Sequence, residues 1–168
     1  MNGLSIVTVS GKRAKILTKK IAPFSVSSYG AAPLRNLVRA MRAKMKEAEG
    51  VGLSANQVGF DLRLFVAEVP SDKGRAKFYA IANPEIVKSS KETETLEEGC
   101  LSIPGMFGHV PRSERIVVHG FDINGKRVKL KAWGFLARVF QHEIDHLNGF
   151  LIADRAKELH PVPKKEKK

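Results

Sequence analysis

Phe135-Leu136-Ala137-Arg138-Val139-Phe140-Gln141-His142-Glu143-Ile144-Asp145-His146-Leu147 is the stretch on which the rest of the chain turns. Phe135, Leu136, Val139 and Phe140 recur at the spacing of one helical face, which predicts an α-helix buried along that side. His142 and His146 stand four apart, one turn from each other, so both imidazoles can reach a single ion. Glu143, beside the first histidine, is placed to take a proton from a water held by that ion. From this segment alone, two core or surface histidines with ordinary partners remain the alternative.

A hydrolytic metal site needs a third protein ligand and an open fourth position. Downstream, Gly149 suits the longer pattern His-Glu-x-x-His-x-x-Gly-x-x-His, but its closing position is Ile152, which excludes that arrangement. Glu166 lies in a charged tail, a poor scaffold, and His160 stands between that tail and the helix. Upstream, Glu97-Glu98-Gly99-Cys100-Leu101-Ser102-Ile103-Pro104-Gly105 carries the only cysteine of the chain. As a nucleophile Cys100 would leave the paired histidines unexplained. As a thiolate ligand it completes a Cys-His-His set with room for water. His109 and His119 are expected as loop and strand residues rather than ligands.

Further upstream, Gly50-Val51-Gly52-Leu53-Ser54-Ala55-Asn56-Gln57-Val58-Gly59 is rich in small residues that let a backbone approach a ligand closely. It matches neither the phosphate-binding loop nor the dinucleotide glycine spacing. Gln57 can donate a hydrogen bond to a developing oxyanion, although a helix stop followed by a turn accounts for the glycines equally well.

Around these segments the pattern is α+β. Leu34, Leu37, Val38, Met41, Met45 and Ala48 predict a helix over 33–49, with Pro33 in its first turn and Gly50 at its stop. Strands are predicted over 62–69 and 78–82, the second ending before Asn83-Pro84. Two more, over 115–121 and 126–132, flank a hairpin turn at Asn124-Gly125. Strands between an early and a late helix imply mostly antiparallel sheets around the C-terminal, metal-binding helix.

The chain of 168 residues fits one domain, and 43% hydrophobic residues supply a core without staples. A lone cysteine excludes an internal disulfide framework, and no apolar run approaches the ~18 residues of a membrane span. The net charge of +12 is concentrated at the ends. Residues 1–46 hold ten basic residues and no acid, whereas 47–152 hold thirteen basic against fourteen acidic. Basic ends of this kind attract phosphate-rich partners by a salt-sensitive force, or simply aid solubility. The acid-free N-terminus also has the composition of a transit peptide. The C-terminal run from Pro161 has little to bury and is expected to be disordered.

Taken in order, Gly50 to Gln57, Glu98-Gly99-Cys100-Leu101-Ser102 and Gln141 to His146 resemble the three signature motifs of the peptide deformylase family. Asn83-Pro84-Glu85-Ile86 and Val110-Pro111-Arg112 are similar to further family segments, and the likeness covers about residues 14–152. It implies a hydrolase that removes the N-formyl group from the formyl-methionine of newly made proteins, releasing formate. Carried over, Cys100, His142 and His146 bind one divalent metal, Fe2+ foremost, with Zn2+, Ni2+ or Co2+ also able to occupy the site. Glu143 is the general acid/base, Gln57 and the Leu101 N–H hold the formyl oxygen, and the peptide lies as an added strand against Val51, Gly52 and Gly99.

The resemblance further implies a cytoplasmic monomer, and it leaves too little chain ahead of Ala14 for an organelle address. The expected division is a basic extension over 1–13, a catalytic domain over 14–155 and a basic tail over 156–168. Ser54 stands where the family motif usually has alanine, with a mild effect expected on packing or hydrogen bonding behind the site. The C-terminal helix that some members use for ribosome contact is cut short here, which leaves the basic ends for any contact with ribosomal RNA. Asp145, pointing away from the metal face, either pairs with Arg112 and positions the helix or is simply solvated. Two other readings stay in play: a metallopeptidase that would not need Cys100, and a non-enzymatic RNA- or ribosome-binding module.

Overall fold

The computed structural model describes residues 3–70 and 74–162. After a 3-10 turn at Ala14–Thr18 come α1 (Val26–Tyr29) and α2 (Ala31–Glu47), then the short strand β1 (Gly52–Ser54) and a second 3-10 turn, Ala55–Val58. Strands β2 (Leu64–Pro70), β3 (Ala76–Ser89), β4 (Thr93–Cys100), β5 (Ile103–Ser113), β6 (Arg115–Phe121) and β7 (Arg127–Trp133) follow. The chain closes with α3 (Gly134–Leu147), a 3-10 turn at Ile152–Asp154 and β8 (Leu159–Pro161). Among the described residues the strands make two sheets, ordered β1-β2-β3-β6-β7 and β4-β5-β8, and every pairing is antiparallel. The fold is α+β, and no described helix is long and apolar enough to cross a membrane.

α3 runs across the five-stranded sheet because its apolar stripe matches that sheet's inner face. Ala137, Phe140, Ile144 and Leu147 pack into one cluster with Phe65, Ile81 and Val118. Phe140 anchors it, its ring 5.3 Å from Phe65 and 5.1 Å from Tyr79. α2 lays Leu34, Leu37, Met41 and Met45 against Leu53, Leu64 and Val66 in a second cluster. Burying each such side chain contributes about 1.5–3 kcal/mol relative to exposure. A third cluster, with Leu17, Cys100, Ile103, Val110 and Ile152, lies under the three-stranded sheet.

The structure departs from the sequence reading at element ends and in the whole of the second sheet. β3 does not stop at Asn83-Pro84 but continues to Ser89, with its register shifted between Ala82 and Glu85. Asn83 takes a φ of 49° there, and its amide bonds the backbone of Phe24 in both directions, so the turn-forming pair is absorbed as a bulge. α2 ends two residues early, and the left-handed residue behind it is Glu49, φ 55°, rather than Gly50. The stretches 93–100 and 103–113, read only as motif and loop, are the two long strands of the second sheet.

The chain ends are also engaged. Val7 is buried, and its N–H donates to the Gln57 carbonyl at 2.7 Å. The run from Pro161, expected to be disordered, instead begins inside β8, which pairs Leu159–Pro161 with Met106–Gly108, and the Val162 N–H donates to the Gly105 carbonyl at 2.9 Å. The remaining tail, 163–168, lies outside the described residues, as do residues 1–2.

Candidate metal centre

Three segments distant in sequence meet beside α3. Cys100 is the last residue of β4, and His142 and His146 occupy successive turns of α3. Cys100 Sγ lies 3.3 Å from His146 Nε2, which lies 3.1 Å from His142 Nε2. All three ligand atoms fall within 4.8 Å of one another, the one such group found among the described residues. Three soft or borderline donors converging on one point, two of them from buried residues, suit one tetrahedral transition-metal ion with its fourth position open.

Glu98 orients this group. His142 Nδ1 is 3.0 Å from Glu98 Oε2, which directs the other ring nitrogen, Nε2, towards the ligand cluster. Arg112 grips both Glu98 oxygens at 3.0 and 2.9 Å, and Arg138 adds a contact at 2.7 Å. Burial alone would raise the Glu98 carboxyl, but bonds from His142 and Arg112 outweigh it and hold the group at about 2. Arg112 also pairs with Asp145, and Arg155 bonds both Asp145 oxygens. Glu98 was within a quoted motif yet given no role. The available signal was a carboxylate two residues before the candidate metal-ligating cysteine, on the same face of a strand.

Glu143 is buried on the helix beside His142, and burial pushes its carboxyl up to about 7, against the opposing pull of the His142 charge and the Ser54 hydroxyl. Ser54 donates to Glu143 Oε2 at 2.7 Å. A Cβ on Gly52 would lie 2.3 Å from Glu143 Oε1, so the carboxylate occupies the space that a side chain at 52 would fill. Gln57 Oε1 accepts from the Ser54 N–H at 3.0 Å, which turns Nε2 towards Ser102 Oγ at 3.1 Å and Cys100 Sγ at 3.7 Å. Asn56 Nδ2 donates to the His146 carbonyl at 2.7 Å, tying the 3-10 turn to the helix. Asn56 Oδ1 and His146 Nδ1 are buried without partners among the described residues.

A cavity of about 650 Å³ opens over this group, and Val51, Gly52, Gln57, Gly99, Leu101 and Glu143 all line it. The other histidines lie elsewhere: His109 on β5, His119 on β6, and His160 on β8, where it bonds Glu97 at 2.7 Å.

The family model for polypeptide deformylase matches residues 4–162. The peptide deformylase of Symbiobacterium thermophilum is 44% identical over 159 residues, spanning 95% of this chain and 70% of that protein. The crystal structure of a class I type b peptide deformylase from Acinetobacter baumannii superimposes with a TM-score of 0.83 at 35% identity, covering 92% of this chain and 99% of that one. That of the Thermotoga maritima peptide deformylase gives 0.82 at 36%, covering 94% and 100%. Sequence and fold agree over nearly the whole chain: it belongs to the polypeptide deformylase family, the hydrolases that take the N-formyl group off newly made peptides.

Proposed function

We propose that Cys100, His142 and His146 hold one divalent metal, that Glu143 carries the proton, and that the substrate is the formyl-methionyl end of a nascent peptide, cleaved to formate and a free amine. The observation that carries this reading is the convergence of one thiol and two imidazoles next to a buried carboxylate beneath an open cavity. Fe2+ is the proposed metal, and the same donors also suit Zn2+, Ni2+ and Co2+. When bound, such an ion polarises a carbonyl and brings the pKa of a water towards ~7.

The remaining work falls to the chain itself. Glu143, buried beside the ligand group with Oε2 held by Ser54, is placed to accept a proton and return it. It takes one from the attacking water and delivers it to the departing amine. The Gln57 side chain is pre-set by Ser54 and need only give up its long contact to Cys100 to reach the formyl oxygen. The Leu101 N–H is the second donor. Losing one donor of this kind costs about 3 kcal/mol, or about a hundredfold in rate. Val51, Gly52 and Gly99 offer backbone for a peptide to lie against as an added strand, in which the small residues leave room for the incoming chain. The protein is proposed to act as a monomer in the cytoplasm, with the basic ends available for ribosomal RNA.

The test is formate release from a formyl-Met tripeptide, using protein prepared without oxygen and loaded with nickel or cobalt. Release from the formyl peptide and not from acetyl-Met tripeptide, lost in Glu143→Ala, is expected. A folded chain with one metal and no formate release would remove the reading.

A further inference from the structure

β1 is only three residues long, yet two of them meet the same carboxylate. Residues 52 and 54 lie on one face of the strand because side chains alternate. At 52 the absent side chain makes room for Glu143 Oε1. At 54 the hydroxyl lies 2.7 Å from Glu143 Oε2 and 3.0 Å from the Glu143 carbonyl. Ser54 is 0% exposed, so water does not compete for its proton. The backbone N–H of the same residue fixes Gln57 Oε1 at 3.0 Å. One residue thus touches both groups that the reaction needs, and neither contact waits for substrate.

We propose that Ser54 is a positioning residue for Glu143, its hydroxyl pinning Oε2 so that Oε1, beside the cavity-lining Gly52, is the oxygen that exchanges the proton. The terminal torsion of a glutamate is broad and roughly two-fold, so an unpinned carboxylate samples a wide range of orientations. A charge-assisted hydrogen bond in a dry site narrows that range and is stronger than a neutral one. With alanine at 54, Oε2 keeps its burial but loses this donor. The expected consequence is a slower chemical step rather than weaker peptide binding, since Ser54 lies behind the carboxylate and is not among the residues lining the cavity.

This assignment rests on Glu143 being the proton carrier, so the experiment separates the two. The metal-loaded parent, Ser54→Ala and Glu143→Gln are compared for kcat and KM on a formyl-Met tripeptide. The zinc-loaded proteins, labelled with carboxyl-13C glutamate, are compared by NMR, with the Glu143 signal identified by its loss in Glu143→Gln. Ser54→Ala is expected to keep one metal per chain and a KM within about twofold, to lose about tenfold in kcat, and to shift the Glu143 carboxyl resonance. Parental kcat in Ser54→Ala, a loss confined to KM, or an unmoved resonance overturns the assignment. If the parent releases no formate, or Glu143→Gln turns over like the parent, the reading of Glu143 falls instead. The resonance then still decides whether Ser54 holds the carboxylate.

Discussion

One methyl group added at position 52 would meet the carboxylate of Glu143, because an alanine Cβ there lies 2.3 Å from Oε1. Either the glutamate turns away from the cavity or β1 shifts. Gly52→Ala is therefore expected to lower kcat by about a hundredfold, as misplacement of a reacting group does. Stability should fall by only about 1–3 kcal/mol, the usual range for an overpacked site. Steady-state kinetics beside a denaturant melt would check both. Glu143→Ala should instead retain its metal, since the three ligand atoms belong to other side chains, while turnover is nearly abolished. Metal content by elemental analysis, set against formate release, separates the two variants.

At the scale of the element, α3 has three working faces. One packs on the sheet through Phe140, Ile144 and Leu147, one carries the two histidines, and one holds Arg138 and Asp145 in a buried charge cluster with Glu98 and Arg112. Arg112 bridges two carboxylates, sharing Glu98 with Arg138 and Asp145 with Arg155. Arg112→Ala should cost about 3–5 kcal/mol in urea unfolding, because it strips a buried partner from both. Arg112→Lys should recover little, since a lysine cannot reproduce the two-pronged grip on Glu98.

Most of α3 and α2 could be read from periodicity, because their buried positions follow a 3.6-residue repeat; Phe135, expected on the buried face, is instead exposed in the first turn of α3, and the stripe runs through Ala137, Phe140, Ile144 and Leu147. His142 and His146 could be placed together for the related reason that a helix repeat fixes which residues share a face, whereas Cys100, at the end of β4, was singled out as the lone upstream thiol. The second sheet was not. Along β4, Thr93 to Glu97 are all exposed, so the strand has no apolar alternation to betray it. Its place is set by pairing with β5, a contact between residues that no local pattern records. Glu98 escaped for the same reason. Its role depends on Arg112, Arg138 and His142, which come from β5 and α3.

For the molecule as a whole, acid should act partly through Glu68, which joins α2 to β2 by accepting from Arg42 at 2.7 Å and pairing with Lys46 at 3.0 Å. The Arg42 hydrogen bond leads in holding its carboxyl at about 2, below the ordinary value of 4.5. A carboxyl depressed by folding stabilises the folded state above its unfolded value, and that contribution is lost as pH falls towards the folded value. The parent should thus exceed Glu68→Gln in stability at neutral pH. The gap should shrink below pH 4.5 and close near pH 2, as followed by denaturant unfolding across that range. A gap independent of pH would mean that packing, not charge, links the helix to the sheet.

Cys100 belongs to the three-stranded sheet, and the two histidines to a helix bedded on the five-stranded one. An ion held among them, as proposed above, would be a rivet through the seam between two layers as well as a reagent. Any ligand that binds only the folded state raises stability in step with its free concentration, so a chelator should lower the melting temperature of the whole domain. On that reading, oxidation of the Cys100 sulfur would take away a ligand atom, and with it the rivet. A chain damaged in this way loses chemistry and cohesion in a single event, so an inactivated molecule is also one marked for unfolding.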